Sequence, residues 1–342
     1  MDFKLIRRVH KIGQWLAITP SNYDKKHVSK IQKSYNLLIF TILTFGLIKI
    51  IFYTRRTINT VNLILYYFIE MSLYLLNINS IIVTIFWKNN QWCQLYKNLK
   101  RINSTEDNTR QFFFANFIYL MAEIITSASL YEKYHQINIF RRYQLLAQMY
   151  YTFLIYVTVR MFLVRYQKLG ELLTRQLDLP PQETLPVVRK VAKLVSFLRK
   201  SSEIFNDLFD LSLSCIIIFT ILNMIFNIFW LVSDGGSTVL DDILVILVFK
   251  QTPTLVWTLI VILMCDSVTN EVKKIHFTCY QLYFNGTRGQ KTELHQLTKE
   301  INQNLPKFTA IGFGVVNKTT IISMVATIIN FIIFAMQLTQ QN

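Results

Sequence analysis

The chain has 342 residues, of which 52% are hydrophobic, 14% aromatic and only 16% charged, whereas ordinary soluble domains carry about 25% charged residues. Its formal net charge of +16 points to nucleic acid only if the basic residues gather on one polar face, and their positions exclude that reading below. Four cysteines, Cys93, Cys215, Cys265 and Cys279, form no CxxC pair and no zinc-ligand spacing, which excludes a disulfide framework or zinc module as the organising element.

From the N-terminus, the first thirty-odd residues hold no long apolar core, so no cleaved signal peptide is expected. Seven long apolar runs then follow, at 35–53, 61–87, 112–131, 145–164, 209–232, 243–265 and 309–338. Each is long enough to cross a hydrocarbon core of about 30 Å at about 1.5 Å per residue. Aromatic residues gather at their ends, among them Tyr35, Tyr53, Trp87, Phe112 and Trp230, as in an interfacial belt.

Orientation follows from lysine and arginine. The segments 1–34, 88–111, 165–208 and 266–308 hold eight, five, eight and six of them, whereas the opposite side has only Arg55, Arg56, Lys133, Arg141 and Arg142. Positive charge stays in the cytosol. The predicted fold is therefore an all-α membrane protein with seven transmembrane helices, its N-terminus cytosolic and its C-terminus extracellular. No internal repeat or linker divides it, so residues 1–342 are expected to form one domain.

Two cytosolic stretches carry amphipathic helical spacing. Val187, Val191, Leu194, Val195 and Leu198 share a face, and Val268, Val272, Ile275, Cys279 and Leu282 continue the sixth run beyond the membrane. Gly286 and Gly289 are expected to break that helix before Leu294, Leu297 and Ile301 begin another. Such stripes need partners, either one another or neighbouring subunits, with the membrane surface as the alternative.

Ionisable residues inside spans are costly and are default functional candidates. Glu70, Glu123 and Lys250 stand out, with Glu70 and Lys250 expected in the outer half and Glu123 near the middle. Gln148 and Gln251 fall at the outer level, Tyr74 and Tyr151 lie one turn from Glu70 and Gln148, and Trp257 lies two turns below Lys250. Pro253 is expected to permit a kink. Two readings stand side by side: an outward-opening pocket for a small organic ligand, or a structural pairing of Lys250 with Glu70 or Glu123. Lys49, Arg160 and Lys318 lie toward span ends, where long basic side chains snorkel.

The seventh run carries Thr320, Ser323, Thr327, Asn330, Phe334 and Gln337 at 3-4-3-4-3 spacing, which places them on one stripe of a helix. The stripe is either a pore lining or a seam between helices held by polar residues. No HExxH, GxSxG or P-loop occurs, and the five histidines lack metal-ligand spacing, so neither an enzyme nor any cofactor or metal is expected. Three glycosylation sequons begin at Asn103, Asn285 and Asn317; the first two are expected in the cytosol and the third at the inner membrane edge, and all are expected to stay unmodified.

The segment from Asn330 to Leu338, NFIIFAMQL, resembles the insect gustatory receptor signature of Thr-Tyr, five apolar residues and Gln-Phe. Spacing and glutamine are kept, while Asn330, Phe331 and Leu338 replace Thr, Tyr and the final Phe. Upstream, Phe308 to Phe313 and Val316-Asn317 resemble that family's approach to its last helix. The resemblance implies a ligand-gated nonselective cation channel in the plasma membrane of a sensory neuron, opened by a small-molecule tastant. It implies a homotetramer, or a hetero-tetramer with related subunits, whose last helices surround the pore and whose cytosolic region 266–308 is the anchor. Gln337 then maps to the gate, beside Leu338. A related odorant receptor subunit is the near alternative. A G-protein-coupled seven-helix receptor, which needs the opposite orientation, and a secondary transporter, which favours inverted repeats, are the more distant ones.

Overall fold

A computed structural model describes residues 3–19, 29–54, 60–83, 88–101, 139–177, 181–233, 252–285, 288–303 and 305–340. Among these the elements are α1 (Phe3–Trp15), α2 (Lys30–Thr54), α3 (Thr60–Ile82), α4 (Asn89–Arg101), α5 (Ile139–Thr174), α6 (Pro181–Ser233), α7 (Thr252–Asn285), α8 (Arg288–Gln303), the two-residue strands β1 (Thr309–Ala310) and β2 (Gly314–Val315), and α9 (Lys318–Gln340). Five helices (α2, α3, α5, α6 and α7) are long and apolar enough to cross a membrane, and Lys318–Phe334 adds a shorter apolar stretch. The third expected span, 112–131, lies outside the described residues.

The helices overrun the apolar runs because their polar extensions remain amphipathic. The fifth run and the polar stretch before it form one helix of 53 residues, and the fourth run sits inside the 36-residue α5. The stripes read from the sequence meet one another: Val191, Leu198, Val268, Val272, Ile275, Cys279, Leu294, Leu297 and Ile301 are all buried in one core, where α6, α7 and α8 pack together. An ion pair from Arg189 to Glu293 closes the outer edge of this seam, and the Arg189 guanidinium holds the Glu293 carboxyl below its usual range through its hydrogen bond and charge.

Two expectations are corrected. Gly289 lies inside α8 rather than breaking the helix, and Gly286 lies outside the described residues. The seventh run is not helical throughout. Residues 309–315 form a hairpin with Thr309 opposite Val315, because Gly312 (φ 84°) and Gly314 (φ 72°) take left-handed backbone that side chains disfavour. Asn317 then caps α9 by accepting from the Thr319 amide at 2.9 Å. Pro253 stands in the first described turn of α7, and residues 243–251, where its kink is expected, lie outside the described residues.

The hairpin is held from three sides. Asn206 on α6 accepts from the Thr309 amide at 3.2 Å and donates to the Lys307 carbonyl at 2.6 Å. Ser214, two turns further, donates to the Ile311 carbonyl at 2.8 Å. Thr269 on α7 donates to the Pro306 carbonyl at 3.4 Å. Phe308, 1% exposed, anchors the base edge-on against Phe162 and Phe205. All four cysteines are buried and none is in a disulfide, as expected of small apolar side chains.

The N-terminal helix docks where the sequence suggested nothing. α1 ends in a Schellman turn, with Ile18 N–H donating to the Gly13 carbonyl and Ala17 N–H to Gln14. Ala17 occupies the left-handed position at φ 58°. His10 inserts edge-on between Trp92 and Tyr96 of α4, and Asn36 and Gln32 of α2 donate to the carbonyls of Ala17 and Thr19 at 3.1 Å each.

Candidate functional site

Two polar regions inside the apolar mass qualify, and they differ in how they are covered. The first is a seam between α3, α5 and α6. Arg141, Gln144, Gln148 and Tyr151 follow i, i+3, i+7, i+10 spacing, one face of α5. Arg141, counted above with an outer connection, lies in the first turn of α5 and meets the fully buried Glu70 at 2.9 Å. Its guanidinium also lies over the Tyr66 ring, 5.1 Å from the centroid. Asn77 of α3 donates within its own helix to Leu73 at 2.8 Å and reaches the Gln144 carbonyl at 3.5 Å. Gln148 is 2% exposed, and neither amide atom of its side chain has a hydrogen-bond partner among the described residues.

Tyr151 accepts a hydrogen bond from Ser212 at 3.3 Å, and Ser212 accepts one from Asn79 at 2.9 Å. Asn79 lies nine residues beyond Glu70, so Tyr151 sits about 13 Å along α3 from the Glu70 pair, toward the end where Ser214 holds the hairpin. Tyr74 faces α2, sharing a hydrogen bond with Thr44 at 2.9 Å. Trp257 packs edge-on against Phe153 and Tyr156 on the α5–α7 side, with the Arg160 guanidinium donating to the Tyr156 hydroxyl at 2.8 Å. The expected pocket residues thus occupy three neighbourhoods around α5. Glu123, Lys250 and Gln251 lie outside the described residues.

The second region is α9. Ser323, Thr327, Asn330, Phe334 and Gln337 are exposed, and the helix packs inward through Thr320 and Met324, 5% and 2% exposed. Thr320 leaves the expected stripe because its hydroxyl accepts from the Asn317 amide at 3.2 Å in the cap. Ser323 and Thr327 donate to the carbonyls four residues back, at 3.1 and 2.8 Å, which keeps their donors satisfied while their oxygens face outward. Leu338 follows on the same helix. In the first turn of α9 Lys318 pairs with Asp266 at 3.7 Å rather than standing alone.

Sequence reasoning missed Arg141, Asn77, Asn79 and Ser212 as partners, although the polar spacing along α5 was visible. It also missed Arg165, which is fully buried and donates to the Leu99 and Met161 carbonyls at 2.8 Å each. There the cation meets the C-terminal carbonyls of α4, which attract positive charge. Among the described residues no group of three or more His, Cys, Asp or Glu side chains could hold a metal ion.

No curated protein sequence matches the chain. Its fold is similar to that of the insect olfactory receptor OR5 from Machilis hrabei, with a TM-score of 0.76 and 12% identity over 99% of this chain and 98% of that one. The same receptor in complex with eugenol matches with a TM-score of 0.72 and 12% identity over 98% of each chain. That likeness shows an all-helical, multi-pass membrane fold. A family model described as 7tm chemosensory receptor matches residues 6–342, so this chain belongs to the 7tm chemosensory receptor family.

Proposed function

We propose that the protein is a ligand-gated nonselective cation channel of the plasma membrane, opened by a small organic molecule. The observation that carries this reading is the exposed polar stripe of α9. A helix of this apolar composition belongs in a bilayer, where hydrocarbon penalises Ser323, Thr327, Asn330 and Gln337. Water in a central pore, shared by the α9 helices of four subunits, relieves that cost. Phe334 and Leu338 supply the apolar constriction beside Gln337, where dewetting closes the pathway. The N-terminus is cytosolic and the C-terminus extracellular, residues 1–342 act as one unit, and the region 266–308 is its anchor.

Ligand enters the bundle around α5. Glu70, Tyr74, Gln148, Tyr151 and Trp257, joined by Glu123, Lys250 and Gln251, supply the polar and aromatic lining, and the unpartnered amide of Gln148 is the group most in need of a ligand. The fold likeness to an olfactory receptor supports an odorant receptor subunit in a sensory neuron. The glutamine and spacing of the last-helix motif favour a tastant-gated receptor as the second reading.

Recordings from cells expressing the chain, exposed in turn to sugars, bitter compounds and aromatic volatiles including eugenol, test both. A current reversing near zero voltage is expected, with cysteines at positions 330 and 337 blocked by water-soluble thiol reagents during activation. Cysteines that stay unreactive in a conducting protein would remove the pore reading. Terminal epitopes exposed in the opposite sense would overturn the orientation and favour a G-protein-coupled receptor.

A further inference from the structure

The foot of α2 presents a surface that neither the pore nor the pocket uses. Ile31, Leu38, Phe45 and Phe52 recur every seven residues and are 83%, 57%, 64% and 74% exposed, with Ile42 between them. That spacing makes one continuous apolar stripe along the helix. At its lower end the chain doubles back. The Schellman turn at Ala17 reverses α1, and the Tyr35 hydroxyl, one turn above Ile31, donates to the Trp15 carbonyl. Trp15 is thereby fixed beside the stripe yet 78% exposed, with Ile12 40% exposed next to it.

Three exposed lysines surround this foothold: Lys11, one turn before Trp15, and Lys30 and Lys33 on either side of Ile31. No ion pair to any of the three is present among the described residues, whose pairs involve other cations. A tryptophan at the end of an apolar helical stripe belongs at the headgroup level of a bilayer, and a cluster of lysines there attracts negative lipid. We infer that α1 and the foot of α2 form a binding surface for anionic phospholipid, with Trp15 and Ile31 seated among the acyl-chain ends and Lys11, Lys30 and Lys33 around the headgroup. The inference rests on α2 spanning the bilayer and not on the channel reading.

Its test needs no ion flux. The full-length protein is reconstituted in phosphatidylcholine vesicles doped with bromine-labelled phosphatidylserine or, in parallel, bromine-labelled phosphatidylcholine. Trp15 emission is the difference between wild type and Trp15→Phe. Brominated phosphatidylserine is expected to quench that emission at least about threefold more than its neutral counterpart, an excess that high salt reduces. The Lys11→Gln, Lys30→Gln and Lys33→Gln triple variant, changed only at exposed positions, is expected to keep the neutral-lipid quenching and lose the excess. Equal quenching by both lipids would overturn the inference, leaving an interfacial tryptophan without headgroup preference. Quenching by neither would overturn it too, since Trp15 would then be covered by another copy of the chain or turned from the membrane.

Discussion

The seam of α6, α7 and α8 and the outer face of α9 obey the same 3-4 spacing, yet one is closed within the chain and the other is left open. In the seam the repeating residues are apolar and find one another: Leu294, Leu297 and Ile301 are each 1% exposed. On α9 the repeating residues are polar and exposed, and the helix is buried only along a narrow line at Thr320 and Met324, with Ile322, Val325, Ile329 and Ile333 exposed as well. Periodicity therefore identifies a face without identifying what meets it. The residue type on that face decides whether the partner must be carbon, as in the seam, or can be water.

The comparison breaks first at the closed side. Leu297→Ala is expected to cost about 3–4 kcal/mol, the usual penalty for a cavity in a fully packed site, read as a lowered thermal midpoint of the purified protein. A cost near zero would mean that the seam is loose and that the two faces are not different in kind. Next in size is the Glu70–Arg141 pair. Glu70→Gln is expected to cost about 2–3 kcal/mol, below the full penalty for stranding a buried charge because Arg141 keeps 26% exposure. Adding Arg141→Met should recover part of the loss, and a double variant no better than the single would show that the pair does not couple.

Acid tests a third packed site. Burial pushes the His10 imidazole down to about 3 from its ordinary 6.5, so it stays neutral while docked and the undocked chain takes up the proton first. Stability of the docking is therefore present above about pH 6.5 and is lost as pH falls below that value, by about 2 kcal/mol at about pH 5. Hydrogen-exchange protection factors of residues 3–19, taken against the unfolded chain at the same pH, should fall over that interval in wild type and lose the pH dependence in His10→Phe. A fall of equal size in both would assign the effect to another group.

Much of this architecture was legible in the sequence because a bilayer leaves so few options. Apolar runs longer than about 18 residues read as spanning helices, and three of the seven runs, 35–53, 145–164 and 209–232, lie wholly within the described α2, α5 and α6. The amphipathic stripes of α6, α7 and α8 were legible for the same reason, since Val272 and Leu297 could only face carbon. What sequence could not supply was pairing across distance. Glu70 announced a need for a cation, but Arg141 was hidden by its position at a helix end, where an arginine equally serves as a loop charge. The seventh run read as helix from residue 309 because Phe308 to Val316 holds no charged residue and only Thr309 as a polar side chain. The left-handed glycines that turn it into a hairpin mattered more than hydropathy. His10 and Trp92 gave no signal, for aromatic contacts between α1 and α4 follow no local spacing.

The smallest expected change in stability is the one that separates water from a protein seam on α9. Asn330 and Ser323 are exposed in the single chain, so Asn330→Ala and Ser323→Ala should each shift folding stability by no more than about 0.5 kcal/mol. If the stripe lines a pore, the same substitutions should alter unitary conductance or the closed–open balance, because they change the polarity that lets water fill the pathway. If it is instead a seam between copies, removing the Asn330 amide deletes a hydrogen bond between helices, worth about 0.6 kcal/mol on average and up to about 1.7. That loss would be read as dissociation of the assembly on dilution. Conductance changed with assembly intact supports water as the partner, whereas assembly weakened with conductance unchanged would place the face of α9 with the closed seam.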